Sequence, residues 1–383
     1  MLVWPEKQAL ILKTRNPDRI LNALPSAKTF SVKGNPLVAV PHKTAETVLL
    51  RNMGFNAPAP IRSYYNWSGR FTPFKAQKEA AAFLSIHKRA FNLSELGTGK
   101  SLAALWAYDY LRGVGQLNKA LIISPLSTLE RTWADELFNH FPHLTFGVLH
   151  GTKQKRLKLL EEDFDVYIVN HDGVGIIAPY LKNRSDVDLV VVDEVAQCAR
   201  NASTAKWKAI NTVVNKHAKP RSCWALSGTP TPNAPTDAWA QCKLISPQNV
   251  PPYFGRFKAQ VMKQLSQFQW IPKPDATEIV REVMQPAVRF TRDECLDLPP
   301  VMFETRDVQL TKEQQKAYKD MLTKLRAEAD DGEITAVNEA VKMGKLVQIA
   351  CGVVYATDGT EITIPATPRV EEPRSICHSA QGK

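Results

Sequence analysis

The chain has 383 residues, 44% of them apolar, which is enough to bury a large core and more than one typical domain needs. No apolar run reaches the roughly 18 residues that span a bilayer, and Met1–Lys7 lacks the basic start and apolar stretch of a secretory signal, so membrane and secreted classes are set aside. The net charge of +11 is concentrated at the front, where residues 1–70 hold ten Lys or Arg against three acids and suit a polyphosphate partner or a solvated basic surface.

Residues 1–70 read as a small mixed module punctuated by Pro25, Pro36, Pro41, Pro58 and Pro60. Strands are expected at Ala9 to Leu12 and Leu37 to Val40, with a helix from about Thr44 to Met53 stopped by Gly54. Tyr64, Tyr65 and Trp67, set between Arg62 and Arg70, could either stack bases or plug this module onto the next domain.

From Phe71 to about Ser246 short continuous apolar runs alternate with amphipathic stretches such as Leu102 to Leu111. The runs are Phe91 to Leu93, Ala120 to Ile123, Phe146 to Leu149, Val166 to Val169, Leu189 to Val192 and Trp224 to Leu226. Strands apolar on both sides predict an α/β domain with a mostly parallel sheet covered by helices on both faces. Residues 247–310 are Pro-rich. Within 311–383, Thr311-Lys312-Glu313-Gln314 is a capping box opening a helix expected to reach about Asp330. A second helix is expected from Ala336 to Cys351, then a hairpin around Asp358-Gly359, with no clear element in the last twenty residues.

The six cysteines stand singly, with no C-x-x-C pair, and read as reduced, buried thiols. His140 and His143 lack a third neighbouring ligand and read as ordinary surface histidines.

The chemistry concentrates at two places. Ser94-Glu95-Leu96-Gly97-Thr98-Gly99-Lys100-Ser101 lies between an expected strand and an expected helix. In that setting small residues let backbone N–H groups close around phosphates at the positive end of the helix. Gly97, Thr98 and Gly99 form the cradle, Lys100 reaches the outer phosphates and Ser101 ligates Mg²⁺. Ser94 stands where the strict pattern has its first glycine. About ninety residues later, the buried run Leu189 to Val192 ends in Asp193 and Glu194. The first carboxylate can hold the metal shell and the second can position and deprotonate a water.

Taken in order, these segments resemble the first RecA-like motor lobe of superfamily-two helicases, and within them the Swi/Snf-type DNA translocases. Gln77 in Phe74-Lys75-Ala76-Gln77 is similar to the family's adenine reader. Ser124-Pro125, followed by Trp133-Ala134-Asp135-Glu136, resembles the motif that touches the nucleic-acid backbone, and His150-Gly151 with Lys153, Lys155 and Arg156 resembles the segment after it. Asp193-Glu194-Val195-Ala196 stands in the place of a D-E-A-H box with Ala196 for its histidine, and Arg200-Asn201-Ala202-Ser203 resembles its tail. Ser227-Gly228-Thr229-Pro230, with Asn233 and Trp239, resembles the motif that couples hydrolysis to movement. Arg289 to Asp293 and Leu298-Pro299-Pro300 resemble the lead-out from the lobe.

The resemblance implies ATP as substrate, Mg²⁺ as cofactor, DNA as partner and a setting in the cytoplasm of a bacterium or a phage-infected cell, or in a nucleus. It also implies a second lobe bringing a transition-state arginine. No arginine motif of that kind is visible here, and Ser379 to Lys383 resembles the lead-in to such a lobe. Little turnover is therefore expected from the chain alone, with the other half lost or encoded separately. An RNA helicase, and a nucleotide- and DNA-binding subunit inactive on its own, are the alternative readings.

Overall fold

A computed structural model describes all residues except 33, 34, 68, 183, 218, 220, 268, 296–304, 325, 330, 331, 336–338, 357 and 381–383. The chain divides into two compact units, Met1–Leu298 and Pro299–Lys383.

The first unit opens with a four-stranded antiparallel sheet, β1 (Leu2–Trp4), β2 (Ala9–Leu12), β3 (Lys28–Val32) and β4 (Asn35–Pro41), in the order β1-β2-β4-β3. Alternation along β2 and β4 sends Leu10, Leu12, Val38 and Val40 inward, against Ile20, Leu24 and Leu50. Leu50 comes from the expected helix, Thr44–Asn52, after which Gly54 takes φ +92°. Ile20 comes from Pro17–Ala23, a helix capped by the Asn16 side chain and not anticipated from the sequence.

All six expected runs form strands of one seven-stranded sheet: β5 (Arg89–Asn92), β6 (Lys119–Ser124), β7 (Phe146–Val148), β8 (Val166–Asn170), β9 (Val187–Val192) and β10 (Ser222–Leu226). A short hairpin, β11 (Met262–Gln264) and β12 (Trp270–Pro272), precedes the seventh member, β13 (Ala287–Val288). The order is β13-β5-β10-β9-β6-β8-β7, and every pairing is parallel. Alternate residues feed two cores. Phe91, Ile123, Val169, Val192 and Ala225 pack on one side, and Ala90, Ile122, Ile168, Val191 and Leu226 on the other. Burial on both faces is the reason these strands read as continuous apolar runs. Burying each large side chain contributes on the order of 2–3 kcal/mol, and Trp106, Trp133 and Trp224 are all fully buried.

The aromatic trio belongs to this packing. Tyr65 donates to Asp109 Oδ2 at 2.6 Å, Trp67 stands edge-on to Trp106 of the helix Lys100–Gly113, and Tyr64 meets His42 Nδ1 at 2.9 Å. Tyr65 and Trp67 fasten the start of the chain to the helix packed on the large sheet, whereas Tyr64 packs within that start. His140 is also inside, accepting from the Arg70 N–H at 3.0 Å, so it is no surface histidine.

The second unit differs from expectation at two points. The capping box forms, with Gln314 N–H donating to Thr311 Oγ1 at 3.2 Å, but its helix ends at Lys324. Strands β14 (Arg326–Ala329) and β15 (Gly332–Thr335) pair beyond it. The alternating residues of that stretch also fit a hairpin, which is why helical pattern alone overran. Helix Glu339–Cys351 is stopped by Gly352 at φ +88°, and β16 (Val353–Tyr355) pairs with β17 (Glu361–Thr363) as expected. Thr367–Ala380 is helical where no element was anticipated, because Pro373 within it masked the pattern. Met321, Leu346, Ile349, Val354 and Ile362 form this unit's core. Of the cysteines, Cys198, Cys223 and Cys242 are buried, but Cys351 and Cys377 are exposed. Leu298-Pro299-Pro300 and the last three residues lie outside the described residues.

Candidate nucleotide site

Because the strands are parallel, their C-terminal ends share one edge, and the ladder pairs Leu226 with Asn92, Val192 with Ala225, Ile123 with Val192 and Ser124 with Asn170. Each strand therefore brings its end to the same place: Ser94 two residues after β5, Ser227 after β10, Asp193 after β9, Ser124 at the end of β6 and His171 after β8. Open parallel sheets bind ligands at this edge.

The loop Ser94–Ser101 is shaped by its glycines. Gly97 and Gly99 take φ +82° and +75°, and Gly99 caps the helix Lys100–Gly113. A β-carbon at Gly99 would collide with the amide of Gln77, so both the backbone turn and the close approach require glycine there. Ser94 does structural work that a glycine could not. Its hydroxyl donates to Asn92 Oδ1 at 2.7 Å and accepts from the Phe290 N–H at 3.1 Å, tying the loop to the segment after β13. The missing glycine thus reflects a side-chain knot at the loop's start.

Lys100 Nζ and the Thr98 hydroxyl both donate to the Glu95 carbonyl, at 3.1 and 2.8 Å, so the lysine rests against its own loop. Burial lowers the Lys100 pKa, and the charges of Glu194 and Asp193 oppose that shift. The carboxylates thus lie close enough to act on the ammonium. Gln77 is buried over the loop, with its Oε1 accepting the Phe74 N–H at 2.8 Å.

Asp193 is buried. Its Oδ2 accepts from the Trp133 indole at 3.0 Å and its Oδ1 from the Glu194 N–H at 3.0 Å. Burial raises its pKa to about 6, a shift that the Trp133 hydrogen bond opposes. A carboxyl whose folded pKa lies above its unfolded value favours folding most at low pH and loses that contribution as pH rises through about 6. In magnesium-free protein, the stability of Asp193→Asn relative to wild type is accordingly expected to improve by roughly 2–3 kcal/mol between pH 4 and pH 8, on top of a pH-independent loss because the amide accepts only one of the two N–H bonds. Denaturant titrations of both proteins at the two pH values measure this difference.

Glu194 takes the left-handed conformation, φ +45°, which turns the chain sharply out of β9, and its Oε2 accepts from Ser227 Oγ at 3.4 Å. Gly228 lies against the loop, where a β-carbon would be 3.3 Å from the Leu96 nitrogen. Ser227, Gly228 and Thr229 therefore touch both the carboxylate pair and the phosphate loop, with Thr229 N–H donating to Ser227 Oγ at 3.3 Å.

Of the expected nucleic-acid contacts, Lys153 and Lys155 are exposed, whereas Arg156 turns inward to hold the Leu149 and Gly151 carbonyls and Asn170 Oδ1. Ser124 is fully buried and Pro125 half-buried. Trp133 is fully buried as well and serves Asp193 instead of facing solvent.

His171 was not singled out in the sequence. It is buried, its Nε2 lies 2.8 Å from the Asp193 carbonyl, and its N–H donates to the Ser124 carbonyl at 3.1 Å. Burial lowers its pKa, so the neutral ring donates through Nε2. A polar pair, Asn170-His171, closing a buried apolar run was the available signal, the same one that marked Asp193-Glu194.

The donor set suits a magnesium nucleotide: glycines at positive φ before a helix, a lysine facing two carboxylates, and a hydroxyl at Ser101 on the first turn. Among the described residues no separate cluster of His, Cys, Asp and Glu could hold a metal ion.

Residues 61–351 match the family described as SNF2-related domain. "Putative protein p41" of Acyrthosiphon pisum secondary endosymbiont phage 1 is 24% identical over 335 residues, covering 82% of this chain and 70% of its own length. The Saccharomyces cerevisiae "ISWI chromatin-remodeling complex ATPase ISW2" is 31% identical over 173 residues, covering 43% of this chain and 15% of its own. The chain spans 26% of a Xenopus tropicalis SWI/SNF-related relative matched over 267 residues. The solved "Sulfolobus solfataricus SWI2/SNF2 ATPase core in complex with dsDNA" shares the fold, with a TM-score of 0.52 and 20% identity over 82% of this chain and 66% of that one.

Proposed function

The chain belongs to the SNF2-related domain family, and from that premise we propose that it is the ATP-binding lobe of a motor that hydrolyses ATP to move on DNA. The observation that carries this reading is the convergence of Lys100, Asp193, Glu194 and Ser227 at one edge of the parallel sheet, with Gln77 packed on the phosphate loop.

Gln77 reads the adenine. The Gly97–Gly99 backbone and the helix behind it hold the phosphates, and Lys100 leaves the Glu95 carbonyl for the outer ones. Ser101 and Asp193 hold Mg²⁺, which neutralises charge on the β- and γ-phosphates when bound. Glu194 orients the attacking water and takes its proton. Ser227, bonded to Glu194 and beside Gly228, reports the state of that carboxylate to the coupling segment. Lys153 and Lys155 take backbone phosphates of the DNA, alongside the Ser124-Pro125 loop. The arginine that stabilises the transition state comes from a second RecA-like lobe, in the same protein or a partner. The phage relative supports a bacterial or phage-infected cytoplasm, and among the described residues no helix is long and apolar enough to cross a membrane.

ATP binding by the full chain, and phosphate release once a polypeptide carrying the second lobe is added, measured with no nucleic acid, with duplex DNA and with RNA of matched length, test the reading. Hydrolysis rising most with duplex DNA is the expected result. Equal stimulation by RNA would replace the DNA assignment with an RNA motor, and failure to bind ATP would remove the nucleotide site altogether.

A further inference from the structure

The four-stranded sheet of the basic module has a face that no apolar cluster of its own unit covers among the described residues. Its inner face packs on the helices Pro17–Ala23 and Thr44–Asn52 through Ile20, Leu24 and Leu50. Period two puts the alternate residues outward, and the register aligns them into rows: Trp4 with Ala9, Leu2 with Ile11, Ala39 and Lys28, and Leu37 with Phe30. Leu2, Trp4 and Val32 are 66%, 41% and 47% exposed. None of the outward side chains belongs to any apolar cluster among the described residues. An apolar face with a ring on each edge strand, the exposed Trp4 on β1 and the half-buried Phe30 on β3, is thus left partly open.

The charge around it selects the occupant. Lys28 lies in the row of Leu2 and Ile11, and exposed Lys13 continues the outward alternation of β2. The module's acids are elsewhere or engaged. Asp18 and Glu46 belong to the helices on the inner face, and Glu6 accepts the Trp4 indole N–H at 2.9 Å, at the rim. Cations beside open rings match a strand that offers both phosphates and unstacked bases. A duplex would present phosphates and sugars and leave both rings without a partner, whereas single strands supply base faces.

We propose that this outer sheet face is a platform for single-stranded nucleic acid, with bases stacked on Trp4 and Phe30 and the backbone held by Lys13 and Lys28. The rings stand three strand spacings across the sheet and four residues along it, roughly 19 Å apart, so the platform holds a stretch of several nucleotides. The site is distinct from the ATP edge of the large sheet and lies outside the family-matched residues, so it stands or falls independently of the motor reading.

The test uses the full chain without nucleotide, with fluorescein-labelled oligo-dT, oligo-U and a duplex of equal length, read by anisotropy. Trp4→Ala and Phe30→Ala are each expected to weaken single-strand binding about tenfold while duplex binding stays within twofold. Lys28→Gln is expected to reduce the salt slope for single strands by roughly 0.7. Trp4→Phe restores most of the affinity, which separates stacking from a folding defect. A preference between oligo-dT and oligo-U identifies which strand type the face takes. Unchanged single-strand affinity in both alanine variants overturns the proposal, as does a loss confined to self-association in sedimentation, which would make the face a protein interface.

Discussion

Lys100→Ala is expected to weaken magnesium–ATP binding by at least about 100-fold. An ammonium about 4 Å from a phosphate is worth roughly 4 kcal/mol at the effective dielectric of a partly buried site, and a charge-assisted hydrogen bond goes with it. The loss has a second component. Lys100 offsets the charges of Asp193 and Glu194, so its removal leaves two neighbouring carboxylates less compensated and makes the site more hostile to another anion. The fold should survive, because alanine is an excellent helix former at this first-turn position. Calorimetric or fluorescent-nucleotide titrations of variant and wild type measure the change. Equal affinity would show that the loop is a turn and nothing more.

Glu194→Gln should separate binding from chemistry. The amide keeps the size of the side chain and can still accept from the Ser227 hydroxyl, and the left-handed backbone is no more strained in glutamine than in glutamate. What disappears is the ability to accept a proton from water. ATP affinity is expected to stay within about threefold while single-turnover hydrolysis with duplex DNA and an added second lobe falls by about 10²–10³ or more, the range for removing a general base. A variant that hydrolyses at the wild-type rate would move the base elsewhere. One that loses binding and hydrolysis together would make Glu194 a structural residue of the turn. Both substitutions also change the surroundings of Asp193, in opposite senses, since the Glu194 charge raises its pKa and the Lys100 charge lowers it.

Much of the site could be read in one dimension because its parts are punctuation. A glycine pair before a lysine, and carboxylates or hydroxyls directly after buried apolar runs, mark strand ends without reference to any partner. Parallel order then follows from runs apolar on both faces, and parallel order alone brings those strand ends to one edge. Ser94, Gly97 to Ser101, Asp193 and Glu194 were legible in this way, while Ser227 was marked only by the family resemblance. The runs also located six of the seven large-sheet strands, while the two-residue β13 is too short to leave a pattern.

What the sequence by itself determined, then, is the α/β class, the strand ends and the residue types standing at them, since these depend on local period and composition. Only the tertiary structure decided which side chains serve the site from within. Trp133 turns inward to Asp193, His171 holds the Asp193 carbonyl, Ser94 knots the loop to Phe290, and Tyr65 and Trp67 plug a domain junction instead of stacking bases. Each of these depends on a partner 22 or more positions away along the chain. Whether a tryptophan or histidine is buried against a hydrogen-bond partner or left in water is settled by that long-range packing, and by nothing in its own neighbourhood.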